Sequence, residues 1–244
     1  MKRATLLFTL LLPITLLAQS VKWQAYPLLG IDLGGAIPYP FSDIPKGAKF
    51  APKPNPNIGL GVEYFLSNKW SLELEASYHV LSFSAKADVR SQPFYFDDGV
   101  TVLYFSGKTS TDVRLRFFEF PLIAKYAINS KWSVEPGIYY SQILDGSFKT
   151  KGTNGVLSND KSITDAAPLP GVANTSYNFN EFIDKWDAGL LLGVKYKTIR
   201  EINIWCRLHV GFKSIFVKEF ENIDYEMYQV RFNAGISVPL FNRK

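Results

Sequence analysis

The chain has 244 residues, 47% hydrophobic and 20% charged, with a formal net charge of +5. That composition excludes a disordered chain. Part of the positive charge sits at the N-terminus and no run of Lys or Arg is dense, which excludes a phosphate-tracking nucleic-acid binder. Cys206 is the only cysteine and His79 and His209 the only imidazoles, so disulfide, thiolate-cluster and histidine-rich metal chemistry are all unsupported.

Lys2 and Arg3 open the chain, an apolar stretch covers 4–17, and Ala18-Gln19 follows. The pattern predicts a secretory signal peptide over 1–18 and a single mature domain over 19–244. The apolar stretch is shorter than the ~20 residues a spanning helix needs, and Pro13 interrupts it. No Cys follows the cleavage site, so the leader is not of the usual lipoprotein type. Downstream no stretch is apolar for 18 residues, so a membrane location requires a closed barrel of strands.

From there the chain alternates apolar and polar residues segment after segment, which predicts half-buried strands. Leu29, Ile31 and Leu33 alternate with Gly30, Asp32 and Gly34; Ile58, Leu60 and Val62 with Gly59, Gly61 and Glu63. Trp70, Leu72, Leu74, Ala76 and Tyr78 oppose Ser71, Glu73, Glu75, Ser77 and His79. Phe118, Phe120, Leu122, Ala124 and Tyr126 oppose Glu119, Pro121 and Lys125, with Phe117 and Ile123 on the polar side. The same split recurs around Trp132, Trp186, Ile204 and Tyr228. The expected strands are 26–37, 57–66, 69–83, 113–128, 131–145, 185–198, 201–214 and 226–241, most long enough for the 9–11 residues of a tilted membrane strand.

Tight turns at 67–69, 129–131 and 198–201 alternate with long links at 38–56, 84–112, 146–184 and 215–225. Short turns on one side and long loops on the other are the pattern of an outer-membrane barrel, with both termini on the periplasmic side. The second link carries aromatic residues on both sides of Asp98-Gly99, which predicts a hairpin rising above the membrane. The third is rich in Gly, Ser, Asn and Asp and is expected to be the most mobile. Ser67-Asn68-Lys69-Trp70 resembles Asn129-Ser130-Lys131-Trp132, and Trp70, Trp132 and Trp186 are expected to form part of an interfacial aromatic belt.

The polar face combines glycines with opposed charges. Asp32, Glu63, Glu73, Glu75, Glu119, Glu135 and Asp187 face Lys125, Lys195, Arg207 and Arg231, with His79 and His209 among them. Glycines suit a narrow interior, and buried carboxylates demand partners. The other face is almost free of charge. The expected fold is therefore all-β, an eight-stranded antiparallel up-and-down transmembrane barrel with this charge network in its lumen. A soluble lipocalin-like barrel, with its apolar face turned inward around a ligand, is the alternative architecture.

The run Phe117-Phe118-Glu119-Phe120-Pro121-Leu122-Ile123-Ala124-Lys125-Tyr126, followed across a short turn by Trp132 to Ser141, resembles the PorT-like outer-membrane β-barrel family of Bacteroidota. The general architecture is similar to the OmpX and OmpW barrels. The resemblance implies an eight-stranded outer-membrane barrel; some members are linked to type IX secretion, a role no residue here encodes. The chain departs from the usual terminal aromatic, since Asn242-Arg243-Lys244 follows Phe241.

Three functional readings follow. The first is a structural or interaction barrel, plugged by its charges, embedded in membrane lipid and contacting envelope proteins through its loops. The second is a transport barrel for a small or apolar solute. The third is an enzyme using His79 with Ser77, Glu73 or Glu75, although an i, i+2 spacing on one strand does not by itself join nucleophile to base. No phosphate loop, zinc motif or dinucleotide fingerprint is present. The expectation is a non-enzymatic barrel with no catalytic residue, metal or cofactor and no nucleic-acid partner.

Overall fold

The computed structural model describes residues 22–44, 47–95, 102–162, 174–220 and 225–240. The expected signal peptide and the Asp98-Gly99 tip lie outside these residues. The strands are β1 (Trp23–Tyr39), β2 (Lys49–Lys53), β3 (Asn55–Phe65), β4 (Trp70–Tyr95), β5 (Val102–Ala127), β6 (Trp132–Ser158), β7 (Asn174–Asn178), β8 (Trp186–Lys197), β9 (Asn203–Ser214) and β10 (Glu226–Ser237). No described helix is long and apolar enough to cross a membrane.

All pairings are antiparallel. The sheet runs β4-β3-β1-β10-β9-β8-β6-β5, and pairing of β4 with β5 closes the ring. Strand β2 adds to β4 beyond the end of β3, and β7 adds to β6. Closure leaves no open edge in the ring of eight strands, as hydrocarbon requires; among the described residues β2 and β7 each pair on one side only.

The turns explain the sequence quasi-repeat. Ser67 Oγ accepts the backbone N–H groups of Lys69 and Trp70 at 3.2 and 3.0 Å. Asn129 Oδ1 accepts those of Lys131 and Trp132 at 2.9 and 2.8 Å. A short polar side chain thus replaces a backbone acceptor and lets each turn stay tight.

Two expectations of length are corrected. Segments 84–95, 102–112 and 146–158 continue the strands where long links were expected, so β4, β5 and β6 have 26, 26 and 27 residues. Strands β8, β9 and β10 have 12 each, and β10 ends at Ser237 rather than 241. Since 9–11 residues cross a bilayer, more than half of each long strand stands above the band that the short ones define. One wall of the barrel is therefore tall. At its foot, a register shift between Arg116 and Phe117 marks a β-bulge.

The lipocalin alternative is also overturned. Apolar side chains point outward: Leu60, Leu74, Leu122, Ile138 and Leu192 are 46–65% exposed. The acids and bases are the buried set. A water-soluble barrel does not carry so continuous an exposed apolar band.

Candidate functional site: the packed barrel interior

Alternation along each strand sends every second side chain into the cylinder. At the turn end, Glu63 of β3 accepts from Ser71 Oγ at 2.6 Å and pairs with Lys125 of β5. This pair forms part of a vestibule of about 260 Å³ that Lys69, Lys131 and Lys195 also line. Deeper in, Glu73 is fully buried and takes Lys125 at 3.0 Å and Lys195 at 2.8 and 2.6 Å. Lys195 reaches across to Glu135 at 2.5 Å.

Arg207 ties three strands together. Its Nε donates to Glu135 at 2.8 Å, and its two terminal nitrogens grip Glu75 at 2.6 and 3.0 Å. Such a fork is the strong form of an ion pair. The Tyr26 hydroxyl sits 2.9 Å from Glu75 and 3.1 Å from Glu73. Trp205, stacked 4.8 Å beneath the guanidinium, fills space left by two glycines paired across β1 and β10. A Cβ on Gly30 would meet the Trp205 ring at 2.6 Å and the Ala234 carbonyl at 2.7 Å, and one on Gly235 would meet the Leu29 carbonyl at 2.2 Å.

The next layer centres on Asp32 and Arg231, both fully buried. Asp32 accepts from Arg231 at 3.1 Å, from Asn233 at 2.6 Å and from Asn57 at 3.1 Å. Arg231 also pairs with Glu119, and Ser141 donates to Glu119 at 3.0 Å. His79 lies 2.6 Å from Asp32 through Nδ1 and 2.8 Å from Ser77 Oγ through Nε2. The spacing argument against a Ser77–His79 contact is thereby corrected: same-face neighbours meet here because the imidazole bends back along its own strand. His79 stacks on Phe117 at 5.2 Å, and His209 lies 3.4 Å from Glu119 and against Tyr139. Asp187 accepts from the Tyr139 hydroxyl at 2.9 Å.

Every charged residue named from the polar faces thus lies inside the ring. Lys125 is the most exposed of the bases at 15%. Tyr26 and Tyr139, which complete the network, were passed over in sequence. Parity was the available signal: Tyr26 shares its face with Asp32, and Tyr139 with Glu135 and Ser141.

Above Arg231 the interior becomes apolar. Leu81, Phe83, Val113, Leu115 and Phe148 from the tall wall pack against Phe179, Ile183, Phe216 and Phe220 from the connecting segments. Phe148 lies 4.9 Å edge-on to Phe216, which stacks on Phe220 at 4.2 Å. This cap was missed because Phe148, Phe179, Ile183, Phe216 and Phe220 fall in stretches that read as loops, although Leu81, Phe83, Val113 and Leu115 lie in expected strands.

Outside, Trp70 meets Tyr126 and Trp132 meets Tyr196, each at 4.8 Å, and Trp23 meets Tyr64 at 4.6 Å, all at the turn end. Trp186 is placed at the opposite rim, 6.2 Å from Tyr140, with Lys213 3.9 Å from its ring. Two aromatic girdles thus flank the apolar band, an arrangement found in lipid-embedded barrels.

Comparison with solved structures finds similarity to the attachment invasion locus protein Ail of Yersinia pestis at 10% identity, covering 88% of this chain and 99% of that one with a TM-score of 0.40. Neisserial surface protein A is similar at 11% identity, covering 88% and 96% with a TM-score of 0.38. The translocator domain of the autotransporter NalP from Neisseria meningitidis is similar at 8% identity, covering 97% and 95% with a TM-score of 0.26. Comparison with curated proteins found no match. A family model described as "Outer membrane protein beta-barrel domain" matches residues 18–217. With that match over most of its length, and with an apolar belt outside a closed antiparallel ring, the chain belongs to the outer-membrane β-barrel domain family and resides in the outer membrane.

Proposed function

We propose that this protein is a closed, non-conducting barrel whose eight membrane-crossing strands anchor a tall extracellular wall that meets envelope or external partners. The tight turns face the periplasm and the signal peptide over 1–18 is removed on export. The Phe117–Tyr126 run and the strand from Trp132 to Ser141 that follows it support kinship with the PorT-like barrels of Bacteroidota. The observation that carries the reading is the filling of the lumen: ion pairs from Glu63 to Arg231, then an apolar cap from Phe83 to Phe220. An eight-stranded interior is just wide enough for side chains to fill. Ser77, His79 and Asp32 act within this plug as a hydrogen-bonded link rather than as a nucleophilic set, being 3%, 3% and 0% exposed. The deciding experiment is conductance across a planar bilayer after refolding, with a heated-versus-unheated gel shift to certify the barrel. The expected trace is flat; reproducible channel steps from correctly folded protein would overturn the plug and favour solute transport.

A further inference from the structure

The outward face of the tall wall changes character within two residues. The last apolar row is Tyr78 paired with Phe118, 5.7 Å apart as rings. Immediately above, β5 turns Arg116 and Arg114 outward, and β4 turns Ser82, Ser84 and Lys86. Register aligns Lys53, Ser82, Arg114 and Ser147 in one row across four strands, and Lys49, Lys86, Ser110 and Lys151 in another.

The acids on this face do not balance it. Asp112 takes Lys53 at 3.0 Å, Asp145 takes Arg116 at 3.4 Å, and Asp88, one row above Lys86, stands across from Lys108. Among the described residues no carboxylate forms an ion pair with Lys49, Lys86, Arg114 or Lys151. Lys49 and Lys86 are direct cross-strand partners, an arrangement that repels unless an anion sits over it. Strands about 4.8 Å apart, with same-face residues about 6.6 Å apart, make the cations a shallow lattice, not a pocket for one ion.

We propose that this basic face binds the phosphate groups of outer-leaflet glycolipid headgroups. Two features select a lipid partner over a soluble polyanion. The face begins one row above the Tyr78–Phe118 girdle, at headgroup depth, and it continues the surface that already meets lipid. A phosphate anchored in that leaflet is held at high effective concentration beside the lattice, and basic clusters next to a bilayer are attracted to anionic headgroups. The proposal rests on the tall end facing outward. Protease cleavage of the tall wall on intact cells tests that orientation separately, whereas in nanodiscs both leaflets carry the probe and orientation is immaterial.

The test places the full-length mature barrel in phosphatidylcholine nanodiscs containing a small fraction of bis-phosphorylated lipid A, or the same lipid enzymatically dephosphorylated. Native mass spectrometry counts retained lipid. The parent protein should retain the phosphorylated form at least about tenfold better than the variant K49Q/K86Q/R114Q/K151Q. That preference should fade near 0.5 M salt, where the screening length is only ~4 Å. The variant alters exposed side chains only, and its gel shift verifies folding. A K218Q protein, altered in the link between β9 and β10, should behave as the parent. Equal retention of phosphorylated and dephosphorylated lipid, or equal retention by parent and four-charge variant, would sink the proposal. So would inorganic polyphosphate displacing lipid A at matched phosphate concentration, since the partner would then be a soluble polyanion.

Discussion

The lower and upper halves of this cylinder solve the same packing problem with opposite chemistry. Below the Tyr78–Phe118 row the axis is filled by acids and bases whose partners come from distant strands: Lys195 reaches Glu73 122 residues away, and Arg231 reaches Asp32 199 residues away. Above it the axis is filled by aromatic rings, several from connecting segments rather than strands. The contrast teaches where specificity resides. An ion pair is satisfied only when particular strands neighbour one another, so the charged half reports correct closure of the ring. The apolar half tolerates rearrangement but leaves a void wherever a side chain is removed.

The sharpest way to break the comparison is to strand a charge. Arg207→Ala leaves Glu75 and Glu135 without their guanidinium partner, and losing one member of a buried pair costs about 3–5 kcal/mol. Urea unfolding followed by the gel shift should show the loss across the whole barrel. Arg207→Lys should recover only part of it, because a lysine cannot reproduce the fork on Glu75. The matching change in the upper half is Phe148→Ala, expected to cost about 3 kcal/mol as a cavity between Phe179 and Phe216. Here the signature is local. Limited proteolysis of the tall end should accelerate while the gel shift of the membrane part persists. A whole-barrel collapse from Phe148→Ala would show that the halves are one cooperative unit.

A smaller effect tests how closely the lower half is packed. Gly30→Ala pushes a methyl into the Trp205 ring and the Ala234 carbonyl. Overpacking of this kind costs roughly 1–3 kcal/mol. Because Trp205 lies under Arg207, the same substitution should also weaken the ionic cluster, and combining it with Trp205→Leu should restore part of the lost stability in urea. Failure of that rescue would mean that the backbone of β10, rather than the indole, sets the limit.

The band that meets lipid and the identity of the inward charges were legible in sequence, because both follow from a period of two. Of the tall wall, the hairpin between β4 and β5 was legible in the aromatics flanking Asp98-Gly99, but the length of its limbs and of β6 was not. In 84–95 and 102–112 most inward positions are small or mildly polar, Ala85, Ala87, Gly107, Thr109 and Thr111 beside Val89 and Phe105, while Ser84, Lys86, Asp88, Lys108 and Asp112 face outward, so the apolar–polar contrast fades. The cap was hidden for a different reason. Phe179, Phe182 and Phe216 interrupt polar stretches without any periodicity, and only the fold shows which surface they cover. Pairing was also beyond reach: parity places Asp32 and His79 on inward faces, but their contact depends on β3 carrying Asn57 between them.

The mildest prediction concerns that contact. Ser77, His79 and Asp32 have the order of a nucleophile, base and orienting acid, with links of 2.8 and 2.6 Å. An acyl-transfer site also needs donors aimed at the developing oxyanion and room for the acyl group. Arg231 presses on the Asp32 side of the imidazole, Phe117 stacks on its face, and Gly59 lacks a side chain because Ser77 occupies the space, a Cβ there meeting that of Ser77 at 2.6 Å. Nothing larger than the hydroxyl fits between β3 and β4 at this level. Ser77→Ala should therefore cost only about 1 kcal/mol, the worth of one hydrogen bond, read as a small shift in the urea midpoint. The parent protein should remain unlabelled by a fluorophosphonate probe. Labelling that disappears in the Ser77→Ala protein would convert this structural link into an active site.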